Sequence, residues 1–146
     1  MSLYANVADA PLIIEMAREE HAQSRWCDSP FDEQAARETL ALFMRSFGHT
    51  VFMTPNAYLL GLIQPMGFSR KTIAIEYAWY SRDNSGMVLL RAFETWGKNM
   101  GADEVVVHDH VSNGRLARIL QRRRAYQSVG TTLIRSIGVN HHAQAA

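Results

Sequence analysis

One acid stands alone in one of the most apolar runs of the chain: Glu76, within TIAIEYAWY at residues 72–80. A carboxyl group held in apolar surroundings has its pKa raised toward neutrality, the direction a general base needs. Strand alternation offers a second reading. It puts Ile73, Ile75, Tyr77 and Trp79 on one face and Thr72, Ala74, Glu76 and Ala78 on the other, with Glu76 directed to solvent. Directly after that run comes SRDNSGMV, residues 81–88, small and polar residues leading into a helical pattern. A helix start offers unpaired N–H groups and roughly half a positive charge, which suits phosphate. An ordinary polar strand-to-helix turn would read the same way.

The remaining reactive side chains are less ordered. Arg115, Arg118, Arg122, Arg123 and Arg124 form the densest charge cluster, and 115, 118 and 122 align on a helix. Such a face meets phosphate or is simply solvated. His108 and His110 share a face of an extended segment, and His141-His142 lie near the end, but no further ligand set at metal spacing accompanies them, so no metal is expected. The single cysteine, Cys27, has no paired base in sequence and cannot form an internal disulfide; it fits a reducing, cytoplasmic setting.

These groups need a scaffold. LYANVA (3–8) reads as an opening strand, with Asp9 as an N-cap and a first helix running to about Ser24. Ser29-Pro30-Phe31-Asp32 resembles a capping box for a second helix ending at Gly48. TVFMT, AYLLGLI and TIAIEYAWY then read as three strands, antiparallel because their connections are short. Leu89, Leu90, Phe93, Trp96 and Met100 keep helical spacing up to Gly101; EVVVH reads as a buried strand. Asn113 is a candidate cap for a helix carrying Leu116, Ile119 and Leu120, and YQSVGTTLIR reads as a closing strand. The chain of 146 residues fits one domain, residues 1–138, with a mobile tail over 139–146. Its net charge of +1 argues against nucleic acid, and no apolar run reaches the ~20 residues of a membrane span.

This order of elements, with a polar glycine-containing turn between fourth strand and third helix, resembles the GNAT superfamily of acetyl-coenzyme-A-dependent N-acetyltransferases. EEHAQSRW, FDEQAARETL, GLI, IEYAWY, LLRAFETWGKNMGADEV and RRRAY before TTLIRSI are in the style of members encoded by tailed bacteriophages, so host cytoplasm is the implied location. The resemblance implies an α/β (α+β) fold: a mixed, mostly antiparallel central sheet, helices on both faces, and a V-shaped cleft between strands four and five. It also implies acetyl transfer from acetyl-CoA, as co-substrate, to a primary amine of a small molecule or protein. A homodimer would be in keeping with the family. A catalytically silent GNAT scaffold, serving as a host-interaction or virion-associated binding protein, is the alternative.

The family's phosphate loop reads Arg/Gln-x-x-Gly-x-Gly/Ala. Counting from Arg82 puts Ser85 and Met87 at the glycine positions; counting back from Leu89-Leu90 puts Gly86 at the last glycine and Asn84 at the first. On the resemblance, Arg82, Asn84, Ser85, Gly86, Met87 and Val88 hold the coenzyme pyrophosphate. The amides of Tyr77, Ala78 and Trp79 face the acetyl carbonyl, and Asn113 and Arg118 complete the coenzyme contacts, Arg118 toward the adenosine 3′-phosphate. Glu76 becomes the base, acting through water. Gln121 occupies the usual general-acid tyrosine position, four residues before Ala125-Tyr126; either the thiolate leaves unassisted or through water, or Tyr126 or Tyr80 substitutes, or catalysis is weak or absent. His21, Trp26 and Phe31 are the implied acceptor contacts.

Overall fold

The computed structural model describes residues 2–109 and 114–138. Asn113, His110, His141, His142 and the tail from 139 lie outside the described residues. Contacts divide the chain into two units, Met1–Val111 and Ser112–Ala146.

The first unit is a three-layer α/β structure. Helices α1 (Ala10–Gln23) and α2 (Glu33–Arg45) are followed by strands β1 (His49–Thr54), β2 (Ala57–Pro65) and β3 (Thr72–Ser81), helix α3 (Gly86–Asn99) and strand β4 (Glu104–Val106). The sheet order is β1-β2-β3-β4, with β1/β2 and β2/β3 antiparallel and β3/β4 parallel. The short connections force the antiparallel pairs, and only the α3 crossover allows the parallel one. On one face Ile13, Ile14 and Met16 of α1 and Leu40 and Phe43 of α2 pack against Val51, Tyr58 and Leu60. On the other, α3 lays Leu89, Leu90, Phe93 and Trp96 across the sheet. Two glycines permit this close approach. A Cβ on Gly61 of β2 would lie 2.2 Å from the Phe93 ring, and one on Gly97 would lie 2.8 Å from Ala74 Cβ.

Several ends differ from the sequence reading. The opening strand shrinks to a bridge between Tyr4 and Phe52, flanked by bonds from Ala5 N to Val51 O (3.0 Å) and Met53 N to Leu3 O (2.8 Å). It stops there because Asn6 caps a 3-10 turn over Val7–Asp9. Asp9 spends its carboxylate on the Asn6 N–H at 2.8 Å and does not cap α1 with its side chain. Asp32, not Ser29, caps α2, accepting from Ala35 N at 2.9 Å.

The second unit carries α4 (Arg115–Arg123), entered through Gly114 at φ 82. Immediately after it Ala125 takes φ 59 and turns the backbone. The closing strand expected over 126–135 does not form: residues 125–138 have no regular secondary structure, and Val129, Leu133 and Ile137 are exposed. An alternating pattern makes a strand only where a partner supplies the ladder, and no described strand pairs with this segment. No described helix is long and apolar enough to cross a membrane.

Candidate active site

The site begins where β3 and β4 part. Their parallel pairing runs from Ile73 with Glu104 to Ile75 with Val106 and ends there, while β3 continues to Ser81. From Glu76 onward β3 keeps β2 on one edge, and no described strand pairs with the other. The expected cleft between strands four and five is thus present, as the gap between β3 and β4.

A register shift at the mouth of this cleft settles where Glu76 points. Leu60 pairs with Ala78 and Gly61 with Glu76, so Tyr77 is an extra residue on β3. Such a bulge breaks the alternation of faces. Ala74 packs toward Gly97 of α3, whereas Ala78 packs on the α1/α2 core, although residues four apart in a regular strand share a face. The regular alternation expected from sequence is therefore wrong past Ile75. Tyr77 is 59% exposed, with its ring 4.9 Å from that of Phe43, and Glu76 is buried at 8%.

Glu76 lines a cavity of about 470 Å³ between β3 and helices α1 and α2. Burial, then the neighbouring negative charge of Glu20, pushes its pKa up to about 8, against a smaller lowering by the backbone N–H of His108. The Nδ1 of His108 stands 3.5 Å from Glu76 Oε2, so the segment after β4 closes on the carboxylate that β3 presents. Glu20, from the last turns of α1, is the second acid. Its pKa is raised by burial, partly offset by the Tyr58 hydroxyl, which donates to Glu20 Oε2. Burial and Glu20 in turn hold the Tyr58 phenol well above its ordinary value. Two partly desolvated carboxyl groups in one cavity resist ionising together, and a cation entering between them removes that resistance.

Sequence reasoning misses Glu20 because it lies beside His21 in an otherwise polar stretch of α1, where an acid draws no notice. His108 stands out in the sequence only as a possible metal ligand. Among the described residues, no group of three or more His, Cys, Asp or Glu is placed to hold a metal.

His21, Trp26 and Phe31 all line the same cavity. His21 Nε2 lies 2.6 Å from the Ser29 carbonyl, which can only accept, so Nε2 carries the proton. This bond holds the α1–α2 connection against α1, and Phe31 packs 5.7 Å from the His21 ring. Tyr77, Ala78 and Trp79 line the opposite wall.

The turn into α3 is differently arranged. Its N–H groups already have partners: Ser85 N donates to Asp83 Oδ1 (2.8 Å), Gly86 N to Ser81 Oγ (3.2 Å), Met87 N to Asn84 O (3.4 Å) and Val88 N to Ser85 O (3.1 Å). Asp83 is held below the usual carboxylate range, mainly by its bonds to Ser85, and so is ionised in the turn. Ser85 Oγ is tied to Thr54 Oγ1 at 2.8 Å. Arg82 reaches away to α1, bonding Glu19 at 2.7 Å and Glu15 at 3.4 Å. A Cβ on Gly86 would fall 2.8 Å from Ser81 Cβ and 3.0 Å from the Trp79 indole nitrogen, so only glycine lets α3 start this close to β3. That indole N–H is buried and has no acceptor among the described residues. The turn thus carries one unused donor and an anion of its own on its amides.

Arg118 and Tyr126 belong to the second unit. Arg118 N donates to Gly114 O at 3.0 Å in the first turn of α4, and Tyr126 N donates to Leu120 O at 3.3 Å.

This mixed sheet with its flanking helices matches the fold of solved GNAT acetyltransferases. An aminoglycoside 6′-N-acetyltransferase from Acinetobacter haemolyticus superimposes with a TM-score of 0.69 at 13% identity, covering 94% of this chain and 97% of that one. An aminoglycoside N-acetyltransferase in complex with coenzyme A gives 0.71 at 12% identity, over 90% and 91% of the two chains. The same type of enzyme with a coenzyme A bisubstrate analogue gives 0.68 at 14% identity, over 92% and 96%. At these identities the likeness is one of fold. No protein-family model matches the sequence, and no curated protein matches it significantly.

Proposed function

We propose that the protein is an acetyl-CoA-dependent N-acetyltransferase acting on a primary amine, with Glu76 as its base. The observation that carries this reading is a buried carboxyl group with a pKa of about 8 at the open edge of a splayed strand. The neighbours bound to coenzyme A support acetyl-CoA as the donor.

An amine arrives as an ammonium with an ordinary pKa near ~10 and must lose a proton before it can attack. The paired carboxyl groups of Glu20 and Glu76 hold the cation, and Glu76 receives the proton through a water molecule. The freed nitrogen attacks the thioester carbonyl; a C–N bond forms, the C–S bond breaks, and the departing thiolate takes a proton from Tyr80, Tyr126 or solvent. Backbone N–H groups of Tyr77 to Trp79 stabilise the oxyanion, because the open edge of β3 leaves donors without a strand partner.

The pyrophosphate would lie on the amides of Ser85 to Val88, displacing the Asp83 carboxylate from Ser85 N and gaining the spare Trp79 indole donor. One anion replaces another at the same helix start. Arg82 would join the phosphates only by leaving Glu19. Asn113 and Arg118 are proposed as further coenzyme contacts.

Calorimetry with acetyl-CoA, paired with a thiol-release assay on simple amines, tests the reading. Stoichiometric binding and amine-dependent thiol release are expected; no heat at millimolar acetyl-CoA and no thiol release would overturn it. The occupied turn favours one second reading, a GNAT scaffold that binds cations without catalysis. It predicts amine binding without coenzyme binding.

A further inference from the structure

The distribution of charge and hydrocarbon in the cavity says what kind of amine it takes. Its carboxyl groups among the described residues are Glu76, which is buried, and Glu20, half-buried and bonded by the Tyr58 hydroxyl. Much of the remaining lining is hydrocarbon and aromatic, with Ile13, Leu40, Leu60 and Phe31 beside the hydroxyls of Ser24 and Thr39. The rim carries a cation. Arg25 lines the cavity with its guanidinium 5.5 Å from the ring centre of Trp26, itself 52% exposed, and no carboxylate among the described residues forms an ion pair with it.

We infer that the acceptor is a primary monoamine on an apolar, aryl or branched-alkyl, body rather than a polycationic amino sugar or polyamine. The inference deepens the acetyltransferase reading and rests on it for the transfer step, though not for binding. An ammonium set against Glu20 and Glu76 satisfies the two carboxyl groups, and the apolar body covers the walls. Each CH₂ so covered adds to the affinity. A second ammonium further along the ligand would have to lie against hydrocarbon or approach the Arg25 guanidinium. Neither position offers a third carboxylate, and buried unpaired charge is strongly unfavourable. The neighbours that bear the name aminoglycoside acetyltransferase share the scaffold.

The test has a binding arm and a turnover arm. Phenethylamine, isoamylamine, spermidine and kanamycin are titrated against the full chain without coenzyme, following tryptophan fluorescence and calorimetry, then offered with acetyl-CoA. Both monoamines should bind at least tenfold more tightly than spermidine or kanamycin and, if turnover occurs, should show the higher kcat/KM. Equal or tighter binding of either polycation, or no binding of either monoamine at millimolar concentration, would overturn the inference. Binding of monoamines without acetyl transfer would leave it standing and overturn the enzymatic reading instead. Arg25→Glu, a change at an exposed position, should narrow the difference at least threefold by admitting a second ammonium at the rim; an unchanged ratio would count against the assigned role of Arg25.

Discussion

The cavity holding Glu20 and Glu76 and the turn into α3 are built on opposite principles. In the cavity, polar groups are desolvated with too little compensation: Glu76 and Glu20 share a confined space, and both have raised pKa values. In the turn, polar groups are compensated among themselves, with Asp83, Ser81 and the backbone satisfying the first N–H groups of α3. Unsatisfied charge is a store of binding energy for a ligand of opposite sign, whereas a satisfied turn must be opened before it binds anything. On the proposed function the cavity takes a cation, and the turn would have to exchange its own anion for another.

The sharpest way to break this contrast is Glu76→Gln. If Glu76 is the base, kcat/KM for an amine should fall by about 10²–10⁴-fold while acetyl-CoA affinity measured by calorimetry stays within about twofold. A fall of less than about tenfold would move the base elsewhere.

The same carboxyl group should mark the stability of the protein. Its folded pKa of about 8 stands above the ordinary 4.5, so the folded state binds the extra proton between those values. Stability is then full below about pH 4.5 as far as this group is concerned, falls as pH rises toward 8, and flattens above. The loss amounts to a few kcal/mol, on the order of 1.4 for each pH unit crossed between the two values and less where the cavity admits water. Urea unfolding at pH 5, 7 and 9 should show the decline in the natural chain and a shallower one, left by Glu20, in Glu76→Gln.

Glu20→Gln separates the two acids. It should raise the amine KM about tenfold and move the acidic limb of the kcat/KM profile to lower pH, since one cause of the raised Glu76 pKa is the Glu20 charge. An unchanged limb would mean that burial alone sets Glu76.

The smallest effect probes the turn. Asp83→Asn keeps the shape but removes the resident charge, so coenzyme A should bind several-fold more tightly, with amine KM unaffected. Weaker binding would mean that Asp83 serves to order the turn for the coenzyme and does not compete with it.

Much of this is legible in the sequence. The run of three strands, the α3 stripe from Leu89 to Trp96 and its end near Gly101 follow from periodicities of two and 3.6, which depend only on neighbours along the chain. Glu76 is conspicuous because an acid among Ile, Ala, Tyr and Trp needs a reason. Its orientation is not legible: the decision rests on one extra residue, Tyr77, and a bulge is a property of two paired strands. Glu20 is invisible for a related reason, since its burial is imposed by Tyr58 and the cavity walls and not by its neighbours in α1. The segment after α4 shows the converse, an alternating pattern that reads as a strand but finds no described strand to complete it.

The sequence by itself determined which segments are helical and which extended, where α3 must begin after a polar turn, and that Glu76 is chemically out of place. Tertiary structure alone decided that Glu76 turns inward, that Glu20 and His108 join it, and that Asp83 occupies the start of α3. The division has a physical cause. Local propensity and periodicity are set by covalent neighbours, whereas desolvation, charge coupling and strand register depend on which distant residues the fold brings together.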